Sequence, residues 1–231
     1  MDHSLYDKRR YPIVDVREGY GAWVRTYEAT VQDEMDLRLL DGLRTVDWSR
    51  ARAALDLACG TGRIAVWLRS RCADPVDGID LTPEMLAVAR GTGPYRALHL
   101  GDVTRTGLPD RAYDLCLQSL ADEHLPDLGP LYREVARVVA PGGVFVIVGF
   151  HPHFLMAGTP THFDRAPGKP VTIRSYVHLF SDHARAALAS GWTLGEMDEA
   201  VVDAAWLAKK PKWQAYAGVP ISFAMVWRRA G

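Results

Sequence analysis

The sequence predicts an α/β fold: an open, mostly parallel sheet with helices on both faces. Three observations carry this. Strand-like and helix-like segments alternate five times before residue 150, the strand Ala54-Leu55-Asp56-Leu57 runs into the turn Gly60-Thr61-Gly62, and Gly78-Ile79-Asp80 closes the next strand eighteen residues beyond Gly62. Parallel strands need crossover helices, and such sheets take ligands in the crevice beyond the carboxyl ends of the strands. A strand that stops in glycines lets backbone approach a ligand closely, and the helix that follows presents free N–H groups there.

Each element has its own signal. Tyr20, Trp23, Val24, Tyr27 and Val31 recur at helical spacing, so one amphipathic helix is expected over residues 17 to about 41. A strand over 53–58 leads to a helix with Ile64, Trp67 and Leu68 inward and Arg63 and Arg69 outward, then a strand over 75–80. Thr82 reads as an N-cap with Pro83 at the first helical position, and Met85, Val88 and Ala89 form a buried stripe up to Gly91. Strands follow at 95–101 and 113–119. Leu128, Leu131, Tyr132, Val135 and Val139 then mark a helix stopped by Pro141-Gly142-Gly143, ahead of the apolar strand Val144 to Phe150. Residues 151 to 174 form a long connection mixing aromatic, imidazole and cationic side chains, and connections of this length inside a domain are often functional. A helix starts at Ser181 and stops at Gly191, and Ile221, Phe223, Met225 and Trp227 alternate as a terminal strand.

The glycine turn alone is a weak signal, because Gly60-Thr61-Gly62-Arg63-Ile64-Ala65 lacks the third glycine of a dinucleotide fingerprint and admits it only as Ala65. The absence of a Tyr-x-x-x-Lys pair also argues against a nicotinamide dehydrogenase. The wider context decides. Asp56-Leu57-Ala58-Cys59-Gly60-Thr61-Gly62, Gly78-Ile79-Asp80, Gly101-Asp102, and Leu131-Tyr132-Arg133-Glu134-Val135 through Ala140-Pro141-Gly142-Gly143 resemble, in order and over roughly residues 17 to 200, the motifs of class I S-adenosylmethionine-dependent methyltransferases. The resemblance is to the small-molecule type, similar to ubiquinone and menaquinone methyltransferases. It implies a seven-stranded Rossmann-like sheet whose terminal strand pairs antiparallel with one near 192–202. It also implies a single domain over residues 1–231, with 1–45 a helical cap over the cofactor and 151–180 a substrate lid.

The cofactor implied is S-adenosyl-L-methionine, leaving S-adenosyl-L-homocysteine. Gly60 and Gly62, with Ala58, would allow close backbone contact, and Asp56 near the turn would accept from the methionine ammonium. Asp80 would take both ribose hydroxyls, with Leu81 and Met85 flanking the adenine. Asp102, next to Gly101, would accept from the exocyclic amine while the Val103 N–H faces a ring nitrogen; Gln118 and Ser119 would lie beside the sulfonium. In the family a Tyr-x-x-Trp-x-x-x-Tyr segment lies over the cofactor, and Tyr20, Trp23 and Tyr27 match it.

Methyl transfer from a sulfonium is an in-line displacement, so a protein contributes alignment, exclusion of water and, for a protic nucleophile, a base. In Asp122-Glu123-His124 after the 113–119 strand, His124 is the candidate base, with a solvated loop histidine as its alternative. Tyr176-Val177-His178, followed by Ser181-Asp182-His183, resembles a Tyr-His-x-x-Ser-Asp segment that faces the acceptor in the family. That makes His178 a second catalytic candidate and Tyr176, with Tyr20, His151 and His153, candidates for substrate contact. Arg165, Lys169 and Arg174 suit either a substrate carboxylate or a solvated face.

Composition bounds the rest. With 231 residues, net charge −1 and pI about 6.7, there is no broad positive field for a phosphate backbone, so nucleic acid is not an expected partner. The longest apolar stretch, Val144 to Val148, is too short for a bilayer, so no membrane association is expected. Cys59, Cys72 and Cys116 read as reduced thiols of a cytoplasmic protein, and Arg outnumbers Lys 22 to 5, as in GC-rich bacterial genomes. His-Pro-His at 151–153 is a poor ligand spacing, and no metal is expected. The expected function is methyl transfer to an O, N or C nucleophile of a small, planar or aromatic acceptor by a monomer or homodimer. The alternative is a non-catalytic S-adenosylmethionine-binding regulator, for which exposed Trp206 and Trp213 would serve a partner.

Overall fold

The computed structural model describes residues 1–31, 35–72, 76–159 and 161–231. The chain starts with β1 (Ile13–Val14), α1 (Val16–Thr30) and α2 (Met35–Gly42). Asp15 caps α1 by accepting from the Arg17 N–H at 3.1 Å. The single helix expected over 17–41 is thus two helices, with residues 32–34 outside the described set. The reason is that their apolar faces serve different surfaces. Trp23 of α1 packs with Phe163, Val171 and Ile173, whereas Leu39 and Leu40 of α2 pack on the sheet. At the end of α1, Thr30 Oγ1 donates back to the Thr26 carbonyl at 2.9 Å.

The alternating core follows as β2 (Ala54–Leu57), α3 (Arg63–Arg69), β3 (Val76–Asp80), α4 (Pro83–Thr92), β4 (Tyr95–Leu100), β5 (Tyr113–Ser119), α5 (Gly129–Val138) and β6 (Val139–Phe150). After it come α6 (Pro152–Met156), β7 (His162–Ala166), β8 (Lys169–Ile173), α7 (Phe180–Ala189), β9 (Trp192–Val201), α8 (Ala204–Lys209) and β10 (Pro220–Arg229). Seven strands form one sheet in the order β4-β3-β2-β5-β6-β10-β9. β10 runs antiparallel to both neighbours, with Met225 opposite Ile147 on one side and Met197 on the other; the pairings among β2 to β6 are parallel.

Side chains alternate across this sheet and separate two cores. Leu55, Leu57, Cys116, Phe145, Ile147, Phe223 and Met225 face α5 and α7, while Ala54, Leu115, Leu117, Val146, Val148 and Ala224 face α2 and α3. On α5, Leu131, Tyr132, Val135 and Val138 are fully buried, each worth about 1.5–3 kcal/mol against exposure. β6 starts five residues before the apolar run because Val139 already pairs with Tyr113, and the ladder resumes at Val144 opposite Leu115. Residues 140–143 bulge out between these pairs.

The stretch 151–174, which reads as one long connection, folds into α6 and the β7–β8 hairpin. β8 also takes β1 as a parallel neighbour, Ile13 opposite Thr172 and Val14 opposite Ile173. The N-terminus is sewn to the same region, its ammonium donating to the Val177 carbonyl at 2.8 Å. Trp23 stacks on Phe163 with ring centroids 5.2 Å apart, so α1, the hairpin and the first residues cover the carboxyl rim of the sheet together. All three cysteines are buried and none is in a disulfide among the described residues, and no helix of the described residues is long and apolar enough to cross a membrane.

Candidate active site

A cavity of about 380 Å³ opens beyond the carboxyl ends of β2, β3, β4 and β5, beneath α1. Its floor is the turn after β2. Ala58 and Gly60 line it with φ of +54° and +53°. A β-carbon added at Gly60 would meet nothing within 4 Å, so glycine is needed there for the left-handed backbone, not for space. Ala58 and Leu120 hold positive φ without that freedom, and both line the cavity; strained backbone of this kind gathers at ligand sites.

Asp80 ends β3 at the wall. Its Oδ2 accepts from the Gly60 N–H and its Oδ1 from the Thr82 N–H, each at 2.8 Å. Burial raises this carboxyl, and the two backbone donors oppose the rise. The result is a carboxylate fixed in orientation with lone pairs still facing the cavity. Thr82 does open α4 and Pro83 does stand at its first position, but the Thr82 side chain makes no cap bond; Asp80 does the fixing. Asp102 similarly turns the chain after β4, Oδ1 accepting from the Thr104 N–H and hydroxyl at 2.7 Å each. Gly101 and Val103 stand with it in the wall, opposite Leu81, Met85, Leu125, Pro126 and Pro130.

The roof comes from α1 and the turn after β5. Tyr20 and Tyr27 face the cavity, and His124 lies among them. His124 Nδ1 is 2.8 Å from the Arg174 carbonyl, which only accepts, so Nδ1 carries the proton; Nε2 then accepts from the Tyr20 O–H at 2.8 Å. Burial brings His124 down to about 4, leaving a neutral imidazole at neutral pH. Beside it, Glu123 Oε1 is 3.6 Å from Nε2. Burial and the neighbouring Asp122 charge push Glu123 up to about 8.

Of the residues singled out in the sequence, Tyr20, Tyr27, Ala58, Gly60, Asp80, Leu81, Met85, Gly101, Asp102, Val103, Ser119 and His124 line this one cavity. The others do not. Asp56 is buried outside the cavity lining, its Oδ2 accepting from the Tyr95 O–H at 2.7 Å. Gly62, expected to open space for a ligand, instead faces the Tyr95 ring, 3.1 Å from where its β-carbon would be. Gln118 braces the turn after β5, its amide oxygen oriented to accept from the Ala121 and Asp122 N–H groups at 2.8 Å. His178 donates from Nε2 to the Leu125 carbonyl at 2.7 Å, so it supports the wall from behind. His151 caps α6 and meets Glu199 at 2.7 Å, and exposed His153 follows it; neither lines the cavity. Tyr176 pairs through its backbone with Glu123 and Asp2 and is not in the wall.

Arg63, expected to point outward, turns in. Its two terminal nitrogens bond Asp36 at 2.9 and 2.5 Å, and Asp36, fully buried, also accepts from the Ser119 hydroxyl at 2.7 Å. No local signal marks Asp36, because an acid on an amphipathic helix ordinarily faces solvent. Among the described residues no group of three His, Cys, Asp or Glu side chains is arranged to hold a metal.

The residues fit an adenosyl donor: a fixed carboxylate at a strand end for a diol, an acceptor at Asp102 for an amine, and apolar walls for a purine. The comparisons with known proteins agree. Residues 55–147 match the family model described as a methyltransferase domain. Over that stretch the chain is similar to class I S-adenosylmethionine-dependent methyltransferases. The cofactor that goes with this family is S-adenosylmethionine. The chain is similar to the malonyl-[acyl-carrier protein] O-methyltransferase of Serratia marcescens, 40% identical over 92 residues, which are 40% of this chain and 36% of that protein. It is also similar to the demethylmenaquinone methyltransferase of Thermus thermophilus, 35% identical over 117 residues, 47% of this chain and 53% of that one. It thus spans a third to a half of the length of these curated relatives. Among solved structures, an S-adenosylmethionine-dependent methyltransferase from Mesorhizobium loti superposes with a TM-score of 0.70, 24% identity, and 86% of this chain and 99% of that one covered, a likeness of fold. The cavity stands at the carboxyl edge where the strand order reverses between β2 and β5.

Proposed function

We propose that this chain transfers a methyl group from S-adenosylmethionine to an O, N or C nucleophile of a small, planar or aromatic molecule. The observation that carries the reading is the Asp80 carboxylate, locked by Gly60 and Thr82 N–H groups at the wall of a ligand-sized cavity. Asp80, Asp102, Leu81 and Met85 would hold the nucleoside, with Gly60 and Ala58 beneath it. When bound, the donor supplies an electrophilic methyl on a sulfonium. The relative named for demethylmenaquinone supports a small acceptor.

The protein's own contribution is alignment, dryness and a proton path. Tyr20 and Tyr27 close the cavity from α1, so within the 1–45 segment it is α1 that would act as the cap over the donor, and the β7–β8 hairpin, stacked on Trp23, would act with it as the acceptor lid. A protic acceptor would lose its proton toward His124, whose free lone pair is at Nε2. That lone pair is covered by the Tyr20 hydroxyl, so Tyr20 is the group an acceptor would meet first, passing its own proton to Nε2 as it takes one.

The experiment is methyl labelling of a metabolite library with isotopic donor, read by mass spectrometry, in the wild type and in His124→Ala. A labelled product, with turnover reduced about 10²-fold or more in the variant at unchanged donor affinity, is expected for O–H acceptors. S-adenosylhomocysteine binding without any labelled product across the library would favour a non-catalytic binding protein instead.

A further inference from the structure

Asp56 sits where positive charge is missing. It is 1% exposed; burial pushes its carboxyl up to about 7 against the pull of the Tyr95 hydrogen bond, and nearby Asp80 and Asp36 raise it further. Oδ2 is engaged by Tyr95, while Oδ1 accepts no hydrogen bond from the described residues. The cation acting on it, Arg63, has both terminal nitrogens committed to Asp36. Besides these groups the Cys59 thiol, itself raised by burial, faces the pair.

The tyrosine is given a seat by three separate segments. β-carbons added at Gly62, Gly78 and Gly93 would stand 3.1, 2.7 and 2.4 Å from the Tyr95 ring. Packing alone would be served by phenylalanine; a hydroxyl aimed at a buried carboxylate has a further use. We propose that Tyr95 is a positioning residue of the donor site, tying Oδ2 of Asp56 so that Oδ1 is presented to the ammonium of the donor's amino acid arm. This rests on the S-adenosylmethionine reading above. It also implies that the donor brings the cation that the site lacks, and that Asp56 gives up a proton to receive it.

The test needs no acceptor. Calorimetry at pH 7.5 compares S-adenosylhomocysteine with 5′-methylthioadenosine, which keeps the nucleoside and thioether but lacks the amino acid arm. Tyr95→Phe and Asp56→Asn are each expected to weaken S-adenosylhomocysteine by roughly tenfold or more, and to leave 5′-methylthioadenosine within about twofold. Weakening of both ligands alike by Tyr95→Phe, or of neither, overturns the proposal. Should that variant lose its cooperative melt, the wild type decides. Its affinity ratio for the two ligands should rise roughly tenfold between pH 5.5 and 7.5, and a flat ratio overturns the proposal. Wild-type protein binding neither nucleoside would bring down the donor reading itself, and this inference with it.

Discussion

Two buried side chains in the turn after β5 have opposite pH signatures, and the sign of each follows from burial favouring the neutral form. Glu123 is raised to about 8 in the fold from 4.5, so the stability its neutral form contributes is complete below about pH 4.5 and is lost as pH rises through 8. His124 is lowered from 6.5 to about 4, so its contribution is present above pH 6.5 and is lost as pH falls through 4. Glu123→Gln, which cannot ionise, is therefore expected to melt above the wild type at pH 9, with the difference shrinking or reversing at pH 5. Melting curves at the two pH values check this, and a variant advantage confined to pH 5 would refute the assignment. The neighbouring Asp36–Arg63 pair acts differently. Its acid is fully buried yet bound by a bidentate guanidinium and a serine hydroxyl, so its charge is answered within the protein.

At the level of elements, the glycine turn after β2, the middle of β3 and the start of β4 are held together by one ring. Tyr95 reaches over Gly78 to Asp56, and β2 and β3 pair at that point, Asp56 opposite Gly78. A β-carbon at position 78 would also stand 2.8 Å from Leu98 and 3.0 Å from the Cys59 sulfur, so there is no free direction for the neighbours to yield. Gly78→Ala should lose about 1–3 kcal/mol in a urea titration with an unchanged m-value. A neutral result would mean the ring shifts easily and the seat is loose. The β7–β8 hairpin belongs to the same scale. It gains β1 as a third strand and Trp23 as a stacking partner, which gives the hairpin an apolar core of its own.

For the whole molecule, the cavity joins parts distant in sequence: the roof from α1, the floor from the turn after β2, and walls from the ends of β3, β4 and β5. A ligand that binds this assembly and not the unfolded chain must stabilise it globally. At one hundred times its dissociation constant, S-adenosylhomocysteine should add about 2.7 kcal/mol, or roughly 5–10 °C in melting temperature for a chain of this size. Differential scanning calorimetry measures this directly, and no shift at saturation would count against the cavity as the donor site.

Much of this was legible in the sequence because it is local. The Asp102 turn, the glycine turn after β2 and the Thr82-Pro83 helix start each depend on residues within a few positions of one another, and the parallel sheet follows from the alternation of periodicities; the left-handed backbone at Gly60, read in the sequence as room for a ligand, and its N–H bond to Asp80 came with the structure. What the tertiary structure decided depends on pairs far apart in the chain. His124 is defined by Tyr20 and the Arg174 carbonyl, Asp56 by Tyr95, and Asp36 by Arg63 and Ser119. His151 and His178, chosen for their chemistry, proved to be bound to Glu199 and to the Leu125 carbonyl. A local pattern specifies backbone conformation, because turns and caps are made by neighbours. It does not specify which distant group will share a side chain's proton or charge, since that partner arrives only when the sheet and its coverings close.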